Sequence, residues 1–150
     1  MSQVAKFKES LWGSSAGIAE DEKPFFKMLR VDIESPIQEM PFESFVTIEF
    51  QFPENGLPGE SESKALTDIE NIFLKELEDS GVGRLVYVQS YDDHRVFLFY
   101  TKSDLSKTHR NLFKKIPKKY NLSVLSDRDS EWKFLLAVRK SYFQKLAEQN

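Results

Sequence analysis

The stretch RLVYVQSYDDHRVFLFYT, Arg84 to Thr101, decides the fold. Two runs rich in β-branched and aromatic residues, RLVYVQSY and RVFLFYT, are joined around Asp92-Asp93-His94, so the spacing predicts a tight β-hairpin. The second run is apolar at successive positions, not at alternate ones. A strand of that kind belongs to a sheet covered on both faces.

Working outward, SFVTIEFQF places Val46, Ile48, Phe50 and Phe52 on one face and Thr47, Glu49 and Gln51 on the other, the alternation of a half-buried strand. The turn PENGLPG then delivers the chain to a helix, where Ala65, Leu66, Ile69, Ile72, Phe73 and Leu77 recur at three and four. Beyond the hairpin, Ser103 or Asp104 caps a second helix with Leu105, Leu112, Phe113 and Ile116 inward, stopped by Pro117. YNLSVLS is a short strand. The tail from Asp129 is read as a third helix with Trp132, Leu135, Leu136, Phe143 and Leu146 on one face; a strand start near Trp132 is the alternative.

From residue 44 to 126 the order is strand, helix, strand, strand, helix, strand. The expected fold is therefore α+β: a ferredoxin-like βαββαβ antiparallel sheet with an extra N-terminal strand, FFKMLRVDI, and a C-terminal helix. Right-handed crossovers place the two helices of the repeat side by side. Residues 1–23 are polar, and although Val4, Phe7, Leu11 and Trp12 share a helical face, the segment reads as a flexible arm ahead of a single domain, 24–150.

The two crossover helices have opposite signs. Residues 60–79 carry seven acids against two lysines, and residues 102–119 carry seven bases against Asp104. Adjacent helices of this kind form screened surface pairs, each worth roughly 0.2–1 kcal/mol. The basic helix thus reads first as the neighbour of the acidic one. The alternative is an RNA-binding surface made of Lys107, Arg110, Lys114, Lys115, Lys118 and Lys119. With a formal charge of −3, the whole chain is not a general polyanion binder.

Catalytic signals are sparse. The chain has no cysteine, which removes thiolate metal sites and cysteine nucleophiles and accords with a reducing compartment. Its two histidines, His94 and His109, have no metal-pair spacing, and no GxSxG, Walker, GxGxxG or HExxH motif occurs. Asp32, Asp92 and Asp93 read as turn or edge residues, and Glu76 with Asp79 as surface acids; only a pocket enclosing Asp32, Asp92 or Glu49 with Arg95 argues for an enzyme. Neither a signal peptide nor an apolar run of membrane-spanning length is visible, so the expectation is a cytoplasmic protein without membrane contact, metal or cofactor.

The aromatics of the hairpin strands, Tyr87, Tyr91, Phe97, Phe99 and Tyr100, resemble the base-stacking platform of RNA-recognition domains in position. The glycine-containing aromatic motif of those domains is absent, and core packing is the favoured account. The ordered motifs VDI, FPENGLPGESESKALTDIENIF, GVGRLVYVQSYDDHRVFLFYT and DSEWKFL are instead similar to the bacterial family known as domain of unknown function 695. Arg84, Arg95, Phe99, Tyr100, Glu131 and Trp132 fall on its motif positions, while Ser130 replaces the proline of its DPEW and Leu135 an aromatic.

That family resembles the regulator B of ribonuclease E, a ferredoxin-like protein that binds the ribonuclease. The resemblance implies a non-enzymatic, protein-binding regulatory or accessory module of unidentified partner, with Arg84, Arg95, Tyr100 and Trp132 as candidate binding residues. The acidic helix and the hairpin edge around Arg95 are the candidate surfaces. Core packing is the favoured reading for Phe99 and Trp132. Monomer and dimer are both open.

Overall fold

A computed structural model of the chain describes residues 12–50 and 57–148. Along the chain run β1 (Trp12–Ile18), β2 (Pro24–Arg30), β3 (Phe42–Glu49), α1 (Glu60–Phe73), β4 (Gly83–Tyr91), β5 (His94–Thr101), the short helices α2 (Leu105–Thr108) and α3 (Arg110–Lys114), β6 (Asn121–Arg128) and α4 (Lys133–Glu148). The last turn of α1 widens into a π-helical segment, Leu74–Glu78. All six strands join one antiparallel sheet in the order β1-β2-β4-β5-β3-β6, giving a mixed α+β architecture.

The hairpin expected from residues 84–101 is present, closed by Asp92 and Asp93 at φ 51° and 68°. Two central residues at positive φ define the turn whose twist suits a two-residue hairpin, and aspartate tolerates that conformation better than most. A register shift between Leu85 and Tyr87 then turns Val86 and Tyr87 to the same face. The central strands consequently offer apolar side chains both ways: Leu85, Val88, Phe97 and Phe99 on one face, Val86, Tyr87, Leu98 and Tyr100 on the other.

Each face has its cover. Leu66, Ile69, Phe73 and Leu77 of α1 and its π-turn, with Leu105 and Leu112 of α2 and α3, close the first. Phe73 meets Phe97 and Phe99 edge-on at 5.4 and 6.0 Å, and Phe113 at 5.9 Å. The second face is closed by α4, where Leu135 is buried and Phe134 packs edge-on against Phe45 and Tyr87. Each fully buried side chain of this size contributes about 1.5–3 kcal/mol of transfer free energy, so losing α4 would uncover a substantial half of the core.

The structure differs from the sequence reading at three places. Residues 12–18 are an edge strand paired with β2, not part of a loose arm; backbone pairing and the Tyr142 ring lying over Gly13 hold a segment that has little apolar pattern of its own. Val4, Phe7, Leu11 and Phe52, and most of the PENGLPG turn, lie outside the described residues. The basic helix is broken at His109 (φ −119°, ψ 39°), where Thr108 Oγ1 bonds both the Asp104 carbonyl and the His109 ring. Trp132 precedes the tail helix and does not lie on its face; it sits at φ 53°, one residue ahead of Lys133.

Candidate functional site

Neighbouring strands bring Arg84 (β4), Tyr100 (β5), Glu43 (β3) and Asp127 (β6) into one transverse row near the end of the sheet where α4 begins. Tyr100 is wholly buried, and its ring stacks on Trp132 at 4.1 Å with an 8° interplanar angle. The Trp132 indole N–H donates to the Met40 carbonyl at 2.8 Å.

Asp129 organises this end. Its carboxylate accepts from the Tyr100 hydroxyl at 2.8 Å and from the backbone N–H groups of Lys133 and Phe134 at 3.0 and 3.3 Å, so it caps α4 and ties it to the sheet. Burial on its own raises the Asp129 pKa; the N–H of Lys133, the Tyr100 hydroxyl and the N–H of Phe134 outweigh it and hold the group below its usual range. Glu43 goes the other way. Burial, then the charge of Asp129, pushes its carboxyl up to about 7, so below that pH Glu43 is the proton donor and Asp129 the ionised acceptor of a carboxyl pair. Burial and the bond to Asp129 likewise raise Tyr100.

Beside this row lies an ion network. Arg30, buried at the end of β2, grips Asp32 with two bonds of 2.8 Å and reaches Glu78 of the π-turn at 3.2 Å. Arg84 joins from the solvent side, 3.4 Å from the same Glu78 oxygen. The other oxygen of Glu78 is buried without a hydrogen-bond partner. The bond from Arg30 keeps Asp32 ionised below its usual range. Gly83 makes the approach of β4 possible, since a Cβ there would stand 2.6 Å from Thr101 Cγ2 and 2.7 Å from the Tyr100 carbonyl oxygen.

Arg95 lies elsewhere. Its side chain is half-buried on the α1 face, donating to Ser90 Oγ at 2.9 Å, and desolvation lowers its pKa against the opposing charge of Glu70. It is thus not a partner of Asp93 at an exposed hairpin edge. Asp32 pairs with Arg30, Asp92 with Lys23, and Glu49 with Asn121 and His94, so these acids do not converge with Arg95 on one pocket. Among the described residues, no group of three or more metal-ligating side chains is placed to hold an ion. Nor, among these described residues, is any helix long and apolar enough to cross a membrane.

The basic segment keeps its charges at the surface. Lys107, Arg110, Lys114, Lys115, Lys118 and Lys119 are all exposed. Lys115 reaches Glu76 at 2.7 Å, so the two crossover segments do meet in an ion pair. Arg110, Lys114 and Lys118 rim a shallow depression of about 570 Å³ floored by Phe113, Ile116 and Tyr120. Of the hairpin-strand aromatics, Phe97 and Phe99 lie under α1 and Tyr100 under Trp132, so these three are not available for base stacking.

A second and deeper groove, about 690 Å³, runs between α4 and the β1–β2 hairpin. Phe25, Leu29, Tyr87, Phe134, Val138 and Tyr142 form its apolar lining, with Lys27 and Lys145 among its walls. Lys27 lies 4.9 Å from the Phe25 ring centre, and no carboxylate among the described residues pairs with either lysine. Sequence reading missed this groove because one wall is β1.

Residues 20–137 match a family of unknown function, DUF695. The chain belongs to that family. No curated protein and no solved structure matches it. The DUF695 signature residues quoted from the sequence now have positions. Asp32 of the VDI run and Arg84 of the GR pair meet around Arg30 and Glu78. Tyr100 of the RVFLFYT run and Trp132 of DSEW stack on each other. Of the four candidate binding residues, Tyr100 and Trp132 are therefore together and buried, Arg84 is an exposed neighbour in the same row, and Arg95 is apart on the opposite face. Much of the DUF695 signature does architectural work: it docks α4 and closes one end of the sheet.

Proposed function

We propose that this DUF695 protein is a non-enzymatic, cytoplasmic protein-binding module of regulatory or accessory role, built on a ferredoxin-like frame. Supporting the frame are the order β4-β5-β3-β6 and the placement of α1 and α2–α3 in its two crossovers. The regulatory role is what the family's resemblance to the regulator B of ribonuclease E implies. The observation that carries the binding reading is the groove between α4 and β1–β2, whose apolar lining and two carboxylate-free lysines suit a protein segment with apolar and acidic side chains.

The alternative is an RNA-binding domain, favoured by the exposed cations around the 570 Å³ depression. Capture from native lysate, split into nuclease-treated and untreated halves, separates the two. A stoichiometric protein that survives nuclease and is lost with Lys27→Glu/Lys145→Glu supports the module. RNA recovered in its place, lost with Lys114→Glu/Lys118→Glu and with rising salt, overturns it in favour of the alternative.

A further inference from the structure

We infer that β6 is a self-pairing edge through which two copies of the chain join their sheets. β6 ends the strand order and pairs only with β3, so its outer row of backbone N–H and C=O groups has no ladder partner among the described residues. Free edges of this kind are normally guarded by lysine, proline, a bulge or extreme shortness. β6 has none of these guards. It is eight residues long, its register with β3 is unbroken, and NLSVLSDR carries no charge before Asp127.

Leu125, in the middle of this strand, is 70% exposed, more than any other large apolar side chain among the described residues. An antiparallel pairing about a two-fold axis perpendicular to the sheet must oppose residues of the same face. Centring it on Leu125 sets Leu125 against its own copy, Ser123 against Asp127, and Val124 against Ser126. The charges bracketing the strand fit the same symmetry. Lys118 and Lys119 precede β6, while at or beyond its other end Asp127, Asp129 and Glu131 outnumber Arg128 and Lys133. An antiparallel partner therefore brings the basic approach of each copy, Lys118 and Lys119, towards the net acidic exit of the other, where Glu131 is exposed beside Lys133, whereas a parallel partner would place like charges together. The occupant that this surface describes is a second copy of the chain. β6 lies at the opposite edge of the sheet from β1 and the α4 groove, so success or failure here is independent of the groove's.

Sedimentation of the full chain up to about 0.5 mM tests this, a range chosen because an edge contact is smaller than a standard interface. A monomer–dimer equilibrium is expected, with Leu125→Lys weakening it by about tenfold or more through like charges set directly opposite. Glu131→Lys and Lys119→Glu should each weaken self-association, and mixing the two variants should restore it as a heterodimer. Leu125→Cys, in a chain otherwise without cysteine, should form a disulfide-linked dimer on mild oxidation. A chain that stays monomeric throughout, or a dimer indifferent to Leu125→Lys and to the charge exchange, overturns the proposal.

Discussion

Replacing Trp132 by alanine tests the claim that this residue locks α4 onto the sheet. Its side chain is fully buried, stacked on Tyr100 and bonded through its N–H to Met40. Removing a buried aromatic of this size costs about 3–5 kcal/mol. The Met40 carbonyl loses its donor as well, adding about 1 kcal/mol. The sum is a large share of the roughly 5–15 kcal/mol that keeps a domain folded. The backbone supplies an internal control, because at φ 53° any non-glycine residue carries a steric penalty of about 1–2 kcal/mol. Glycine escapes that penalty but loses more chain entropy on folding, about 0.5–1 kcal/mol, so Trp132→Gly should be as stable as Trp132→Ala or slightly more so, despite carrying less side chain. Trp132→Phe keeps the stack and loses the hydrogen bond, and should fall between wild type and both. Urea unfolding followed by far-ultraviolet circular dichroism gives the order. A loss below about 1 kcal/mol for Trp132→Ala, or a glycine variant clearly less stable than the alanine one, would refute the reasoning.

Three further outcomes follow from the same end of the sheet. The fold holds Glu43 protonated up to about 7, against an ordinary 4.5, so the native state binds the extra proton and stability should fall as pH rises through that window. Allowing for solvent screening of this half-buried group, the fall is about 1–2 kcal/mol between pH 4.5 and 7; Glu43→Gln should flatten it in pH-dependent urea titrations. Asp129, held low, acts only at more acidic pH. Arg30→Leu removes the buried cation of Glu78, leaving it only the longer contact to the exposed Arg84, and strips Asp32 of its partner, and should cost about 3–5 kcal/mol, while Arg84→Ala, on the solvent side of the same carboxylate, should cost under about 1 kcal/mol by thermal unfolding. Gly83→Ala drives a methyl against the Tyr100 carbonyl and should destabilise by about 1–3 kcal/mol, read as a lowered melting temperature.

What was legible in the sequence is what local chemistry decides. Asp92-Asp93 between two apolar runs announces the hairpin, and the apolar run Val96 to Tyr100 announces a sheet with two covers. The motif series led to the family. What escaped depends on residues far apart in the chain. Glu43 looks like an ordinary wet-face residue of β3 until the chain returns with Asp129 to share its proton. Asp32 resembles a turn acid until Glu78 arrives from the π-turn to complete the grip of Arg30. WGSSAGI has too little apolar alternation to read as a strand, and only β2 and Tyr142 define it. At the break, Thr108 Oγ1 takes up the Asp104 carbonyl, and ahead of it the Asp104 carboxylate accepts from the Ser106 N–H; such side-chain competition for backbone groups is concealed by a smooth apolar periodicity.

The claim that the α4 groove receives a protein partner is tested most directly by placing a photo-crosslinking amino acid at Ser141, on the groove wall, and separately at Lys114, on the basic segment, in living cells. The account predicts a discrete protein adduct from position 141 and none from position 114. RNA adducts from position 114, with nothing from position 141, would contradict it.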